Sequence, residues 1–175
     1  GSGQDDGGTF EEITYEGYGP AGVAVIVETA TDNRNRTGPE VRSAFTKHGG
    51  SLGTTGSVAF QFTQRGVIVI AADDLEAATM AAIEAGAEDV EEGEGELVVY
   101  TAAVELDAVR KGLVAAGYTV AKAELSFEPN TTVPVTDEAT AGKLMRLMDS
   151  LDELDDVTAT YANFDIAPDL LEKLG

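Results

Sequence analysis

The 175-residue chain contains no cysteine and one histidine, and it has 11 lysine and arginine residues against 32 aspartate and glutamate residues. Without cysteine, the protein has no disulfide framework, no thiolate metal site and no cysteine nucleophile. A single imidazole with no activated nucleophile nearby provides neither a catalytic triad nor a metal site. We therefore predict that the protein is not an enzyme and that it carries no metal and no cofactor.

Long apolar runs are also missing. No segment approaches the roughly 18 consecutive apolar residues of a transmembrane helix. The opening residues, GSGQDDGGTF, are neither basic nor apolar enough for a signal peptide. We therefore expect a cytoplasmic protein with no membrane association. Residues 1–9 are rich in glycine and aspartate, a composition that does not pack, and they are predicted to form a flexible linker.

The formal net charge of −21 argues against a general polyanion binder, because nucleic-acid affinity depends largely on Lys and Arg contacts with phosphates. The charge is distributed unevenly. Residues 31–65 contain five basic and two acidic residues, whereas residues 66–134 contain three basic and 14 acidic residues. The basic residues of the first segment are Arg34, Arg36, Arg42, Lys47 and Arg65. Such asymmetry can mark a contact surface, and ordinary scatter of charges explains it equally well.

Three segments in the first third of the chain predict β-strands. Phe10–Tyr15 alternates between apolar and polar residues, and Val23–Thr29 is an almost continuous β-branched run typical of a buried strand. Ser57–Thr63 predicts a further strand. The glycine-rich segment Gly50–Gly56 that precedes it lacks the lysine of a phosphate-binding loop, so we predict a mobile turn.

A helix is predicted between the second and third of these strands. Thr37 and Glu40 have the spacing of a capping box, with Pro39 in the first turn, where proline is tolerated. Gly49 supplies the left-handed residue at which the helix stops. The predicted apolar face comprises Val41, Ala44, Phe45 and His48.

The basic residues of this helix do not form a single clamp. At 100° per residue, Arg42 and Lys47 lie about 140° apart, on opposite flanks of the apolar face. An anion site would therefore borrow Arg34 and Arg36 from the preceding loop, or backbone N–H groups from a glycine-rich turn. His48 is predicted to cap the helix or to pack against it rather than to act in catalysis.

From Gly66 onwards the pattern restarts as strand, helix, strand, strand, helix, strand. The predicted elements are Val67–Ala71, Leu75–Ala85, Glu88–Glu91, Glu96–Thr101, Leu106–Ala116 and Tyr118–Phe127. This βαββαβ order indicates a ferredoxin-like unit, in which two helices cover one face of an antiparallel sheet. The apolar stripe predicted on the first of these helices comprises Leu75, Thr79, Ala82 and Ile83.

After this unit, Thr136 is predicted to cap a helix, Val157–Phe164 to form a strand, and Pro168 to begin a short helix. The elements on either side of the ferredoxin-like unit make a complete domain only when they are combined. The fold class predicted is therefore α+β, with two domains. Residues 10–65 and 135–175 form one discontinuous α+β domain, and residues 66–134 form the ferredoxin-like domain inserted into it.

Gly17, Gly19 and Gly22 have the spacing of the dinucleotide-binding fingerprint. That fingerprint requires a helix after the glycines, whereas a strand is predicted from Val23 onwards. We therefore expect these glycines to allow a tight connection between strands. An RNA-recognition module is also excluded for the ferredoxin-like unit, because Tyr100 is the only aromatic residue on its predicted central strands and the unit is acidic.

The stretch Tyr15–Phe60, YEGYGPAGVAVIVETATDNRNRTGPEVRSAFTKHGGSLGTTGSVAF, resembles the central motif of the YebC/PmpR family. That family includes transcriptional regulators and the mitochondrial translational activator of cytochrome c oxidase. The resemblance implies a helical first domain followed by two α+β domains, the third inserted in the second. The family's basic opening segment, similar to AGHSKWANIKHRK, has no counterpart before Phe10. We therefore expect this chain to comprise the second and third domains, with the helical first domain absent.

The positions that match the family motif are Asp32, Asn33, Arg34, Asn35, Arg36, Arg42, Lys47, His48, Gly49 and Gly50. The resemblance implies that the three arginines and the lysine contact nucleic acid or the ribosome and that the other residues support the loop and helix. It also makes Gly50–Gly56 a contact loop lined by backbone. The alternative is that Asp32 and Asn33 simply build a turn, while Arg34 and Arg36 pair with acidic residues.

The resemblance implies a non-enzymatic, nucleic-acid-associated regulator of gene expression, in one of two forms. The first is a ribosome-associated translation factor that contacts ribosomal RNA and relieves stalling; the second is a DNA-binding transcriptional regulator. The acidity of the chain favours docking by shape at a defined site over wrapping of duplex DNA. Either partner is expected to require the missing basic N-terminal domain, and we expect a monomer. A ferredoxin-like module that senses a small molecule is the alternative function.

Overall fold

The computed structural model describes residues 9–174, and within this range the chain has the predicted α+β class. It divides into two compact units, Gly1–Phe62 with Pro129–Gly175 as the first and Thr63–Glu128 as the second. The predicted linker at residues 1–9 lies outside the described residues except for Thr9. Both divisions fall a few residues before the predicted domain boundaries.

In chain order, the helices and strands of the described residues are β1 (Glu11–Tyr18), β2 (Ala24–Thr31), α1 (Arg34–Lys47), β3 (Ser51–Leu52), β4 (Phe62–Ala71), α2 (Leu75–Ala85), β5 (Asp89–Gly93), β6 (Glu96–Ala102), α3 (Leu106–Ala115), β7 (Val120–Pro129), β8 (Val133–Val135), α4 (Glu138–Asp152), β9 (Val157–Ala162), β10 (Phe164–Ile166) and α5 (Pro168–Leu174). Single 3₁₀ turns lie at Pro20–Gly22, Ala59–Gln61 and Ala103–Glu105.

The first unit is built on a four-stranded sheet in the order β9-β2-β1-β3. The central strand β2 pairs antiparallel with both β1 and β9, and its apolar run is buried, as the sequence predicts. Helices α1 and α4 contribute most of the remaining core. The largest core side chains contributed by these helices are Val41, Phe45, Leu144, Leu147 and Leu151.

A parallel pair of short strands completes the first unit. Strand β8 pairs with β10, with Val133 opposite Phe164 and Val135 opposite Ile166. The sequence predicts no strand at residues 133–135. Because this pair ties β8 to the end of the chain, the segment that follows the second unit rejoins the first unit before the predicted boundary at residue 134.

The second unit is a four-stranded sheet in the order β5-β6-β4-β7, with two helices packed against it. Strands β5 and β6 form an antiparallel hairpin, and β6 pairs antiparallel with β4. This is the order expected of the predicted βαββαβ unit. Its core is formed by Ile68, Ile70, Leu97, Val99, Ala78, Ala82, Val109 and Leu113. The predicted stripe on α2 is wrong at Ile83, which is 59% exposed, because Ala78 faces the sheet instead.

The structure corrects three local predictions. Helix α1 begins at Arg34 rather than Thr37, so Arg34 and Arg36 lie in its first turn and not in a loop. The α4 N-cap is Asp137 rather than Thr136, since the Asp137 carboxylate accepts a hydrogen bond from the Thr140 N–H at 2.8 Å. The strand predicted at residues 57–63 is confirmed only at residues 62–63, which begin β4, because residues 59–61 form a 3₁₀ turn.

Among the described helices, none combines the length and the apolar character needed to cross a membrane.

Candidate nucleic-acid interface

Helix α1 positions the basic residues that the sequence identifies as candidate contacts. Its buried side is formed by Thr37, Val41, Ala44 and Phe45. Because these residues face the core, the arginines Arg34, Arg36 and Arg42, together with Asn35 and Lys47, lie on the exposed side. The helix therefore presents its cations along its length, from the first turn to the last.

The turn that opens α1 is built by the side chain of Thr31 and the backbone of Asn33. The Asn33 N–H donates to Thr31 Oγ1 at 2.9 Å, and its carbonyl accepts the N–H groups of Arg36 and Thr37 at 3.0 and 3.2 Å. Asn33 is the N-cap residue, although its side chain makes no capping hydrogen bond. The predicted turn role of Asp32 and Asn33 thus corresponds to the connection between β2 and α1.

Arg36 is held by a buried carboxylate. Its Nη2 lies 2.8 Å from Asp156 Oδ2 and 3.3 Å from Asp32 Oδ1. Asp156 is 7% exposed and also accepts hydrogen bonds from Thr37 Oγ1 at 2.6 Å and from Thr31 Oγ1 at 3.1 Å. The hydrogen bonds from Thr37 and Arg36 lower the pKa of Asp156 in spite of its burial. This cluster joins the start of α1 to β2 and to the residue before β9.

The other three cations are much less constrained. Arg34 Nη1 lies 3.5 Å from Glu11 Oε2, and both side chains are more than half exposed. A pair of this kind contributes little to stability and is readily exchanged for another anion. Within residues 9–174, neither Arg42 nor Lys47 has a carboxylate within 4 Å. Arg34, Arg42 and Lys47, which we call the α1 cations, are therefore available to an external anion.

The end of α1 directs the chain into β3. Gly49 has a φ of +82°, the left-handed conformation that the sequence predicts for the helix stop. The Gly50 N–H donates to the Phe45 carbonyl at 2.8 Å, and a Cβ at Gly50 would collide with the carbonyl oxygen of Tyr18. His48 Nε2 lies 2.8 Å from Ser150 Oγ, which agrees with a packing role for the imidazole. Gly49 and Gly50, which match the family motif, therefore set the path of the backbone from α1 into β3.

The glycine-rich segment after β3 is anchored by a buried glutamate that no local sequence pattern indicates. Glu16 is 5% exposed, and its carboxylate accepts the N–H groups of Gly56, Val58 and Ala59 at 2.7, 3.0 and 2.7 Å. Burial alone would raise the pKa of Glu16, but the three N–H donors outweigh it and lower the pKa. The converging N–H groups of this loop are therefore already occupied by an internal anion.

A network of hydrogen-bonded polar side chains connects this loop to the sheet. Tyr18 Oη donates to the Ser57 carbonyl at 3.1 Å and accepts Gln61 Nε2 at 3.1 Å. Asn163 Nδ2 donates to Gln61 Oε1 at 3.3 Å, while Asn163 Oδ1 accepts the Ala24 N–H at 2.8 Å. Because its members lie up to 139 residues apart, local sequence patterns do not indicate this network.

The structure shows the context of the glycine motif that follows β1. The 3₁₀ turn Pro20–Gly22 leads into β2 rather than into a helix, so the glycines at residues 17, 19 and 22 lack the context of a dinucleotide site. At Gly17, a Cβ would lie 2.8 Å from Phe45 Cε1, so any side chain at this position would clash with the buried Phe45 ring. The described residues contain no group of three or more histidine, aspartate or glutamate residues able to hold a metal ion.

An open groove runs along α1 between Pro39 and Lys47. It is lined by Pro39, Glu40, Ser43, Ala44, Lys47, Ser150, Glu153 and Leu154. Hydroxyl groups, one ammonium group and two carboxylates face it together, so its chemistry is mixed and it selects no single class of small ligand. The groove leaves Lys47 accessible at the end of the helix.

Comparison with known proteins identifies the family of this chain. A family model described as the TACO1/YebC second and third domain matches residues 10–164. A probable transcriptional regulatory protein of Sulfurihydrogenibium sp. is 50% identical over 177 residues, which cover 99% of this chain and 70% of that protein. A protein of the same name from Aquifex aeolicus is 46% identical over 177 residues and covers 100% of this chain and 71% of its own length.

A solved structure is similar as well. The crystal structure of a conserved hypothetical protein, Aq1575 from Aquifex aeolicus, matches with a TM-score of 0.81 and 47% sequence identity. The match covers 92% of this chain and 67% of that chain. Together with the family match over residues 10–164, this shows that the chain belongs to the TACO1/YebC family and spans its second and third domains.

Proposed function

We propose that this chain is a non-enzymatic regulator of gene expression that acts on the ribosome in the cytoplasm and contacts ribosomal RNA through α1. The observation that carries the proposal is the exposure of the α1 cations. Arg42 and Lys47 have no carboxylate within 4 Å among the described residues, and Arg34 has only a weak surface pair with Glu11. In a chain of net charge −21, this helix offers phosphates an attractive surface.

The charge of the chain supports a ribosomal target over duplex DNA. A protein that wraps duplex DNA gains affinity from many phosphate contacts, whereas this chain has 11 basic residues and several of them are paired with carboxylates. A defined binding site made of RNA and protein requires few phosphate contacts. A protein gains affinity for such a site when its surface already has the complementary shape. The backbone of the glycine-rich loop is held in such a shape by Glu16.

Transcriptional regulation through DNA is the second candidate. Relatives such as those of Sulfurihydrogenibium and Aquifex are named probable transcriptional regulatory proteins. The same α1 cations would then contact DNA phosphates. The two candidates therefore share a surface and differ in the nucleic acid that it meets.

Sedimentation of the chain with purified ribosomes at low and moderate salt tests the proposal. Although the family resemblance implies a contribution from a basic first domain, the exposure of the α1 cations leads us to expect that the unaltered chain alone migrates with ribosomes at low salt. We expect the triple variant Arg34→Ala, Arg42→Ala and Lys47→Ala to remain at the top of the gradient. The matched control removes three cations from the second unit, at Arg110, Lys111 and Lys122, and we expect it to migrate like the unaltered chain.

Two results would contradict the ribosomal proposal. If both triple variants migrate like the unaltered chain, the α1 cations are not the contact surface. If the unaltered chain stays at the top of the gradient but shifts promoter DNA in a gel, and the α1 triple variant does not, the second candidate is supported instead.

A further inference from the structure

Phe60 places a large aromatic ring in solvent. It is 72% exposed, whereas Val58 is fully buried and Phe62 is 7% exposed, so the residues two positions before and after it point into the core. Leaving a phenylalanine ring in water forgoes the stabilisation that burial of the ring would provide. The exposed Phe60 ring is therefore a candidate contact for a binding partner.

The backbone on both sides of the ring is fixed. The Ala59 N–H donates to Glu16 Oε1 at 2.7 Å, and the Gln61 N–H donates to the Val58 carbonyl at 3.0 Å. On the other side, the Gln61 carbonyl accepts the Asn130 N–H at 2.8 Å. These bonds hold the 3₁₀ turn Ala59–Gln61 in place, so binding to the ring does not require ordering of the chain.

The surroundings of the ring suit a base better than a phosphate or an apolar protein surface. Residues 50–61 contain no charged side chain, and Glu16 already occupies three of their N–H groups. The exposed residues of segment 50–59 are glycine, serine and threonine, so the ring has no exposed apolar neighbour within this segment. Protein docking sites usually bury a cluster of apolar residues, whereas stacking of a base requires one accessible π-face.

We propose that Phe60 is a stacking platform for an unpaired base of single-stranded RNA. The inference rests on the proposed function, in which the α1 cations attract the phosphates of the same RNA. It adds that the chain recognises RNA with exposed bases, because bases inside a duplex do not offer their faces to a side chain. Aromatic stacking is tolerant of sequence, so no preference for one base is implied.

Fluorescence anisotropy of a short, unstructured, fluorescein-labelled RNA tests the inference with the full 175-residue chain. We expect Phe60→Ala to weaken binding by about tenfold, and Phe60→Trp to preserve or strengthen it. Phe60→Leu, which keeps apolar bulk without a π-face, should weaken binding nearly as much as Phe60→Ala. Val104→Ala is the control, since Val104 is an apolar residue of the second unit that is 91% exposed.

An abasic version of the same RNA isolates the stacking contact, because it keeps the phosphates and lacks the bases. We expect the abasic RNA to bind the unaltered chain and the Phe60→Ala variant equally well. Near-ultraviolet and far-ultraviolet circular dichroism should show each variant folded, because the substituted side chain lies in solvent.

The outcomes separate the inference from the proposed function. If Phe60→Ala binds as tightly as the unaltered chain while the α1 triple variant does not, stacking is overturned and the contact through α1 stands. If Phe60→Leu binds as tightly as the unaltered chain, the ring acts only as an apolar surface of the kind that fits a protein, and stacking is again overturned. If the unaltered chain binds neither RNA nor ribosomes, the proposed function is overturned together with the inference.

Discussion

Arg36 Nη2 donates to both carboxylate oxygens of Asp156, at 3.0 and 2.8 Å, although 120 residues separate the two along the chain. The hydrogen bond with Asp156 raises the pKa of the Arg36 guanidinium, which stays charged. Within the family motif, Arg36 therefore differs from the α1 cations, because its ion pair with Asp156 connects α1 to the residue before β9. An effect of Arg36→Ala on RNA binding would combine lost stability with lost contact.

Removal of the Asp156 charge should destabilise the first unit. In Asp156→Asn, the amide replaces an acceptor of hydrogen bonds from Thr37, Thr31 and Arg36, and we expect the free energy of unfolding to fall by about 2 kcal/mol. Urea denaturation at pH 7 measures this change. Asp155→Asn, at an exposed neighbouring carboxylate, is the matched control and should change stability by less than about 0.5 kcal/mol. Equal effects of the two substitutions would show that the cluster is not stabilising.

The Glu16 carboxylate should make the chain sensitive to acid. Because the pKa of Glu16 is lower in the folded than in the unfolded chain, its stabilising contribution is complete above the unfolded pKa of about 4.3 and is lost as the pH falls through the folded pKa. We expect Glu16→Gln to be less stable than the unaltered chain at pH 7 and the difference to shrink below about pH 4. Thermal unfolding between pH 3 and pH 7 measures it. A difference that does not depend on pH would rule out this role of the charge.

The salt dependence of RNA binding should report the number of phosphate contacts. Each phosphate contact to single-stranded RNA contributes about 0.7 to the slope of log K against log salt concentration. The triple variant at Arg34, Arg42 and Lys47 should therefore have a slope smaller by about 2. Phe60→Ala should leave the slope unchanged while lowering affinity, since stacking releases no counterions. A reduced slope in Phe60→Ala would contradict the assignment of Phe60 to a base.

Two helical glycines offer a matched pair of stability predictions. A Cβ at Gly142 in α4 would meet only the flexible end of Arg146, with Nη1 at 3.3 Å, so Gly142→Ala should stabilise the chain by about 0.5–1 kcal/mol through helix propensity. A Cβ at Gly112 in α3 would lie 2.9 Å from Ala85 Cβ, so Gly112→Ala should be destabilising. Differential scanning calorimetry of the two variants should give shifts of opposite sign.

Periodic patterns predict much of the fold because they record which side of an element faces the core. The apolar run of β2 and the stripe of α1 are examples, and the limits of α2 are predicted without error at Leu75–Ala85. The start of α1 is not predicted, because Thr37 uses its hydroxyl on Asp156, 119 residues away, rather than in a capping box. Similarly, the backbone donors of Val58 and Ala59 bond to Glu16 instead of joining a strand.

The candidate site is likewise predicted only in part, because local patterns locate its residues but do not show their contacts. The family motif identifies the residues of α1, but it does not distinguish Arg36, which Asp156 holds, from Arg42, which faces solvent. That distinction depends on contacts between distant segments. The exposure of Phe60 is equally hidden, because the alternation of Val58, Phe60 and Phe62 would suit a strand with one buried face as well as it suits the observed turn.

The hydrogen bond from the Asn130 N–H to the Gln61 carbonyl has a consequence for folding. It brings together the two points at which the chain leaves the first unit and returns to it. The entropy lost in closing a flexible loop grows with the length of that loop, so the bond is costly to form while residues 63–128 are unfolded. Once that segment has folded, the gap to be closed is short. The second unit, Thr63–Glu128, should therefore fold before the first is complete. Its folded ends would then hold Gln61 and Asn130 close enough to form this hydrogen bond.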